Sequence, residues 1–176
     1  MSEDYYDFEY LGFESNDSDE YQKGAFLYRF VSQRSHHRYL VRVELYINNL
    51  HCIKFYDESD GNFGDFSRIT ATFEPRRIFR TVANIGFEVF RKNRSASFIY
   101  IGAADYRDLK GWPTRRYRVY KAFIDALDIK DWFEVFDYDE QSMSVLVNLS
   151  EMPTEEDRQS FLRKIESFAG IISSTD

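Results

Sequence analysis

The sequence predicts an α+β fold: a largely antiparallel sheet of about six to eight strands with three helices packed mainly on one face. Three observations carry this. Apolar residues alternate with period two over roughly the first seventy positions, a helical stripe spans 76–92, and the remaining elements follow as strand, helix, two strands, helix.

The first strands are read in YDFEYLGF (6–13), AFLYRFVS (25–32), RYLVRVELYIN (38–48) and HCIKFYD (51–57), separated by SNDSDE, SQRSHH and NNL. In the third, Tyr39, Val41, Val43, Leu45 and Ile47 fall on one face and Leu40, Arg42, Glu44 and Tyr46 on the other. The NNL break is short enough for a tight hairpin. The turn-rich DESDGNFGDFS leads to a short strand, RITATF (68–73), and Pro75 opens a helix over 76–92. Ile78, Val82, Ile85 and Val89 form its stripe, joined by Phe79, Gly86 and Phe90. SASFIYIGA reads as a buried strand, 114–127 as a second helix, and DWFEVFDYD with QSMSVLVNLS as a closing hairpin. The last helix starts after Pro153 with Thr154 and Asp157 spaced as a capping box, and Glu155 and Glu156 suit the helix dipole there. Phe161, Ile165 and Phe168 give it an apolar stripe, and Gly170 reads as its stop.

A chain of 176 residues fits a single domain, 1–176, with residues 173–176 read as a disordered tail. The 13 Tyr and 17 Phe imply that many tyrosines sit at the boundary with water. A net charge of -7 argues against sequence-independent affinity for nucleic acid or an anionic membrane, although a local basic patch is compatible with it. One cysteine, Cys52, forms no intramolecular disulfide. The start MSEDYYDFEY has neither the basic residues nor the apolar run of a signal peptide, and no stretch reaches the length of a membrane span. These features together point to a cytoplasmic protein with no membrane partner.

Several constellations are set aside. His36 with His37, and His51 with Cys52, are adjacent pairs that point to opposite faces of a strand, so no metal site is expected. DESDGNFGD has calcium-loop composition but the wrong spacing, since Gly61 at position six puts Tyr56 at one and Ser67 at twelve. There is no GxSxG, HExxH or glycine-rich phosphate loop. No catalytic residues, no cofactor and no enzyme activity are expected.

The unusual segment is GWPTRRYRVYKAF (111–123), where Arg115, Arg116 and Arg118 crowd the first turn of a helix whose dipole is already positive. Projected at 100° per residue, Arg116 points toward the apolar face, whereas Arg115, Arg118 and Lys121 point outward. An inward arginine needs an anionic partner, and Asp105 and Asp108 just upstream provide one, giving a structural ion pair. The alternative is a ligand-binding site for a phosphate-containing ligand, framed by Arg115, Arg118, Lys121 and Lys110, with Trp112, Tyr117 and Tyr120 stacking on a base.

With IYIGAADYRDLKGWPTRRYRVYKAFI (99–124) following the 76–92 helix, the chain resembles small uncharacterised bacterial α+β domains in which a strand and loop precede a helix opening of Thr-Arg-x-x-Tyr type. Here the opening is Thr114-Arg115-Arg116-Tyr117, with the tyrosine one place closer. The resemblance implies the same fold class and no assigned activity. The expectation is a non-enzymatic interaction protein that binds another protein, such as an antitoxin or phage-defence accessory, through an acidic, Tyr-rich surface. Nucleotide or RNA binding through the basic helix start is the alternative, and an open sheet edge allows a homodimer.

Overall fold

A computed structural model describes residues 4–58, 74–104 and 108–174, with side chains as far as Ile172. The strand expected at 68–73, most of the loop before it, Asp105 and the last two residues lie outside the described residues. The chain is α+β, and it divides into two compact units, 1–94 and 95–176.

The first unit is an antiparallel meander in the order β1-β2-β3-β4, formed by β1 (Phe8–Ser15), β2 (Gln22–Val31), β3 (Arg38–Tyr46) and β4 (Leu50–Asp57). The third and fourth strands are joined by a one-turn 3-10 segment, Ile47–Asn49, in which Asn48 and Asn49 take positive φ, a conformation asparagine tolerates better than most side chains. Helix α1 (Pro75–Lys92) starts on its proline and buries Ile78, Phe79, Val82, Ile85, Gly86, Val89 and Phe90, the stripe read from the sequence. Gly86 lets it approach the sheet closely: a Cβ there would stand 3.0 Å from Ile53.

One alternation departs from the sequence reading. Glu44 and Tyr46 are buried while Leu45 is only half-buried. The reason is a polar cluster on their face, where the Tyr46 hydroxyl donates to Glu44 at 2.7 Å and Arg42 and Lys54 both lie 3.4 Å from its carboxylate. Arg42 and Tyr46 flank Glu44 on the same strand face, and Lys54 comes from the neighbouring strand, a contact that period two along one strand does not reveal.

The second unit is an antiparallel sheet in the order β5-β7-β6, from β5 (Ser97–Ile101), β6 (Phe133–Tyr138) and β7 (Met143–Asn148), with helices α2 (Arg115–Asp125), α3 (Glu155–Glu166) and α4 (Ala169–Ser174). Every residue of β7 is buried, as expected of a central strand. The capping box forms: Thr154 Oγ1 accepts from the Asp157 N–H at 3.1 Å, and Asp157 Oδ2 accepts from the Thr154 N–H at 3.2 Å. Thr154→Ala is expected to lower the thermal midpoint by about 3 °C through loss of this cap, measured by circular dichroism. Gly170 does not stop the last helix. Phe168 and Ile172, both buried and one turn apart, hold a further helical turn through Ser174, so helix occupies half of the expected tail.

The described tyrosines divide evenly: Tyr5, Tyr21, Tyr56, Tyr120 and Tyr138 are half-buried and Tyr10 is exposed, at the boundary with water as expected. Tyr6, Tyr28, Tyr39, Tyr46, Tyr100 and Tyr117 are all buried. Hydrogen-bonded hydroxyls make several of these sites tolerable: Tyr6 donates to Glu74 and Tyr46 to Glu44.

Candidate functional site

The start of α2 is fixed by a knot of hydrogen bonds within the second unit. Thr114 is the N-cap; its Oγ1 accepts from the Tyr117 N–H at 3.2 Å and donates to the Gly102 carbonyl at 2.7 Å. Its own N–H donates to Ser142 Oγ at 2.9 Å, and the Gly102 N–H donates to the Ser142 carbonyl at 2.9 Å. The end of β5, the approach to β7 and the first turn of α2 thus meet at one point. Only glycine fits at 102, because a Cβ there would lie 2.4 Å from the Tyr117 nitrogen and 2.6 Å from Thr114 Oγ1.

Below this point a polar network runs along the helix. The Tyr117 hydroxyl donates to Asp139 Oδ1 at 2.8 Å, and Ser144 Oγ donates to Asp137 Oδ1. Lys121 donates to Asp137 Oδ2 and lies 3.8 Å from Asp125. Burial pushes the Asp137 carboxyl up, but hydrogen bonds from Lys121 and Ser144 outweigh it and hold the group below its ordinary value. Burial raises the Tyr117 and Tyr100 hydroxyls well above theirs, and the two rings stack with centroids 6.0 Å apart.

This arrangement divides the residues read from the sequence. Tyr117 is buried and Lys121 is engaged by two aspartates, so both help hold the helix in place. Tyr120 is half-buried, edge-on to Tyr100 at 6.0 Å. Arg115, Arg118, Lys110 and Trp112 are exposed, and among the described residues no ion pair engages Arg115 or Arg118. Asp108 does supply a carboxylate to the helix start, but by accepting from the Arg115 backbone N–H at 2.9 Å. That contact offsets part of the unfavourable charge of the first turn. Arg116 is only 7% exposed, on the buried side of α2 where the helical projection puts it, and its Nη2 has no hydrogen-bond partner among the described residues.

Leu109, beside the Trp112 already singled out, went unnoticed in the sequence. Leu109 is 72% exposed and Trp112 71%, presented together by a turn in which the Trp112 N–H donates to the Leu109 carbonyl at 3.2 Å. Gly111 takes φ +80° at the third position of that turn, which glycine adopts without strain. Val119, placed on the apolar face by projection, is also exposed. The signal available was the glycine two residues after Leu109 and directly before Trp112, a turn that leaves both outside the helix.

Among the described residues no group of histidine, cysteine or carboxylate side chains is arranged to hold a metal ion. Cys52 is buried and carries a free thiol. His37 Nδ1 lies 2.5 Å from the buried Asp57 carboxylate, a contact that ties the start of β3 to the end of β4. No described helix is long and apolar enough to cross a membrane. No family model, curated protein or solved structure matches this chain.

Proposed function

We propose that this chain is a non-enzymatic interaction protein whose α2 surface, formed by Leu109, Trp112, Arg115, Arg118 and Val119, docks a protein partner with an acidic and apolar face. The observation that carries the reading is Trp112, 71% exposed beside an equally bare Leu109. Tryptophan and arginine are the side chains most often found to dominate protein interfaces, and isolating a tryptophan in water has no structural benefit of its own. The hydrogen-bonded knot at Thr114, Gly102 and Ser142 supports the reading further, since a rigid platform loses less entropy on binding. The local basic strip on a chain of net charge -7 selects an acidic partner.

The test is affinity isolation from the native host with cross-linking, comparing wild type with Trp112→Ala and with Arg115→Glu/Arg118→Glu. A stoichiometric partner cross-linked through 109–119 in wild type and lost in both variants, at an unchanged thermal midpoint, is the expected result. Equal recovery by all three proteins would rule the surface out.

A second reading, nucleotide or RNA binding, is favoured by the buried, unpartnered Nη2 of Arg116 behind the exposed Arg115 and Arg118. It expects a nucleoside triphosphate or a single-stranded RNA to bind at low salt and to be released by the double glutamate variant. Absence of binding at low salt dismisses it.

A further inference from the structure

We infer that the outer edge of β1 is a docking strand for an extended segment of another protein that alternates apolar or aromatic side chains with lysine or arginine. This surface lies in the first unit and is independent of the reading given for α2.

Strand β1 stands at the end of the sheet order and, among the described residues, pairs only with β2. Its outer row of backbone N–H and C=O groups is therefore a template for another strand. Its side chains are unusually bare for an edge: Tyr10 and Phe13 are each 45% exposed and Leu11 37%. Single exposed apolar groups need no explanation, but Tyr10 and Phe13 stand on one face of the edge strand, with Leu11 at the bulge between them.

The register sorts β1 into two chemically distinct faces. Phe8, Tyr10 and Phe13 stand opposite Phe30, Tyr28 and Phe26, with the Tyr10 ring 5.1 Å from Tyr28 and the Phe13 ring 4.8 Å from Phe26. Glu9 and Glu14 stand opposite Arg29 and Ala25 on the other face. A strand added outside β1 would place alternate side chains beside half-covered aromatic rings and the intervening ones beside two carboxylates. Next to Glu9 an open cleft of about 570 Å³, lined by Asp7, Glu9, Arg29, Val31 and His36 among others, gives room for a long side chain. Apolar residues alternating with lysine or arginine complement both faces.

The same charges argue against a second copy of this chain. Two antiparallel β1 strands centred between Leu11 and Gly12 would set Glu9 against Glu14 twice, and like charges directly opposite are unfavourable. The register also breaks between Tyr10 and Gly12, and a bulge there twists the edge away from a flat self-match. Both features disfavour that self-match while leaving the edge open to a basic strand.

The experiment uses the full chain with two synthetic seven-residue peptides, valine and tyrosine alternating with lysine in one and with glutamate in the other. Binding is followed by fluorescence anisotropy, and amide hydrogen exchange reads residues 8–15. The lysine peptide is expected to bind and to protect β1 amides, with Glu9→Lys/Glu14→Lys weakening it about tenfold and reversing the preference toward the glutamate peptide. That reversal separates a lost site from a misfolded variant. Equal binding of the two peptides overturns the inference, as does binding that leaves β1 amides unprotected. Protection already present in the free chain also overturns it: at high dilution it means another segment of the chain covers the edge, and only at high concentration it means a second copy does.

Discussion

Gly102→Ala is expected to destabilise the second unit by about 3 kcal/mol. The new Cβ would sit 2.4 Å from the Tyr117 nitrogen and 2.6 Å from Tyr117 Cα, both backbone atoms that cannot swing aside. Helix α2 would have to retreat from the end of β5, and the Thr114 bonds to Gly102 and Tyr117 would stretch together. Urea unfolding monitored by near-ultraviolet circular dichroism measures the loss. Gly111→Ala is the control: nothing lies within 4 Å of its Cβ, so only the positive φ is penalised, at about 1 kcal/mol. If the two substitutions prove equally mild, α2 is not anchored where the hydrogen bonds place it.

A comparably large effect is expected in alkali. In the second unit, burial raises the Tyr100 and Tyr117 hydroxyls above their ordinary value of 10.0, while the unfolded chain ionises near that value. Above pH 10 the folded unit therefore retains protons that the unfolded chain releases. Stability is intact below pH 10 and falls as pH rises toward the folded-state values, by about 3 kcal/mol per pH unit for the two groups together. Tyr28 adds a matching loss to the first unit, again through burial. Urea titrations at pH 9, 10 and 11, with tyrosinate absorbance followed alongside, give the slope. Tyr117→Phe should roughly halve it in the second unit. Ionisation of these tyrosines near pH 10 without unfolding would contradict the burial.

The features legible in the sequence are those that adjacent residues determine. Pro75 with the Ile78, Val82, Ile85 and Val89 stripe locates α1, Thr154 with Asp157 locates the capping box, and the projection of α2 separates Arg116 from Arg115 and Arg118. The missed features depend on contacts distant in sequence. Glu44 is buried where Lys54 of the neighbouring strand meets it, Lys121 is engaged because Asp137 lies on β6, and Gly102 matters only because α2 returns to it. Of the two carboxylates expected for Arg116, Asp105 lies outside the described residues. Asp108 accepts from the Arg115 N–H, a backbone contact that a side-chain projection does not reveal.

The chain has two tryptophans, and both Trp112 and Trp132 belong to the exposed set. Trp112, at 71% exposed, is expected to emit much as it does in the unfolded chain, so its fluorescence should report folding poorly. The same exposure makes Trp112 a built-in optical probe of association, silent until a partner excludes water from it. The tyrosine-filled interior carries the complementary signal, near-ultraviolet dichroism, and reports whether the fold is intact.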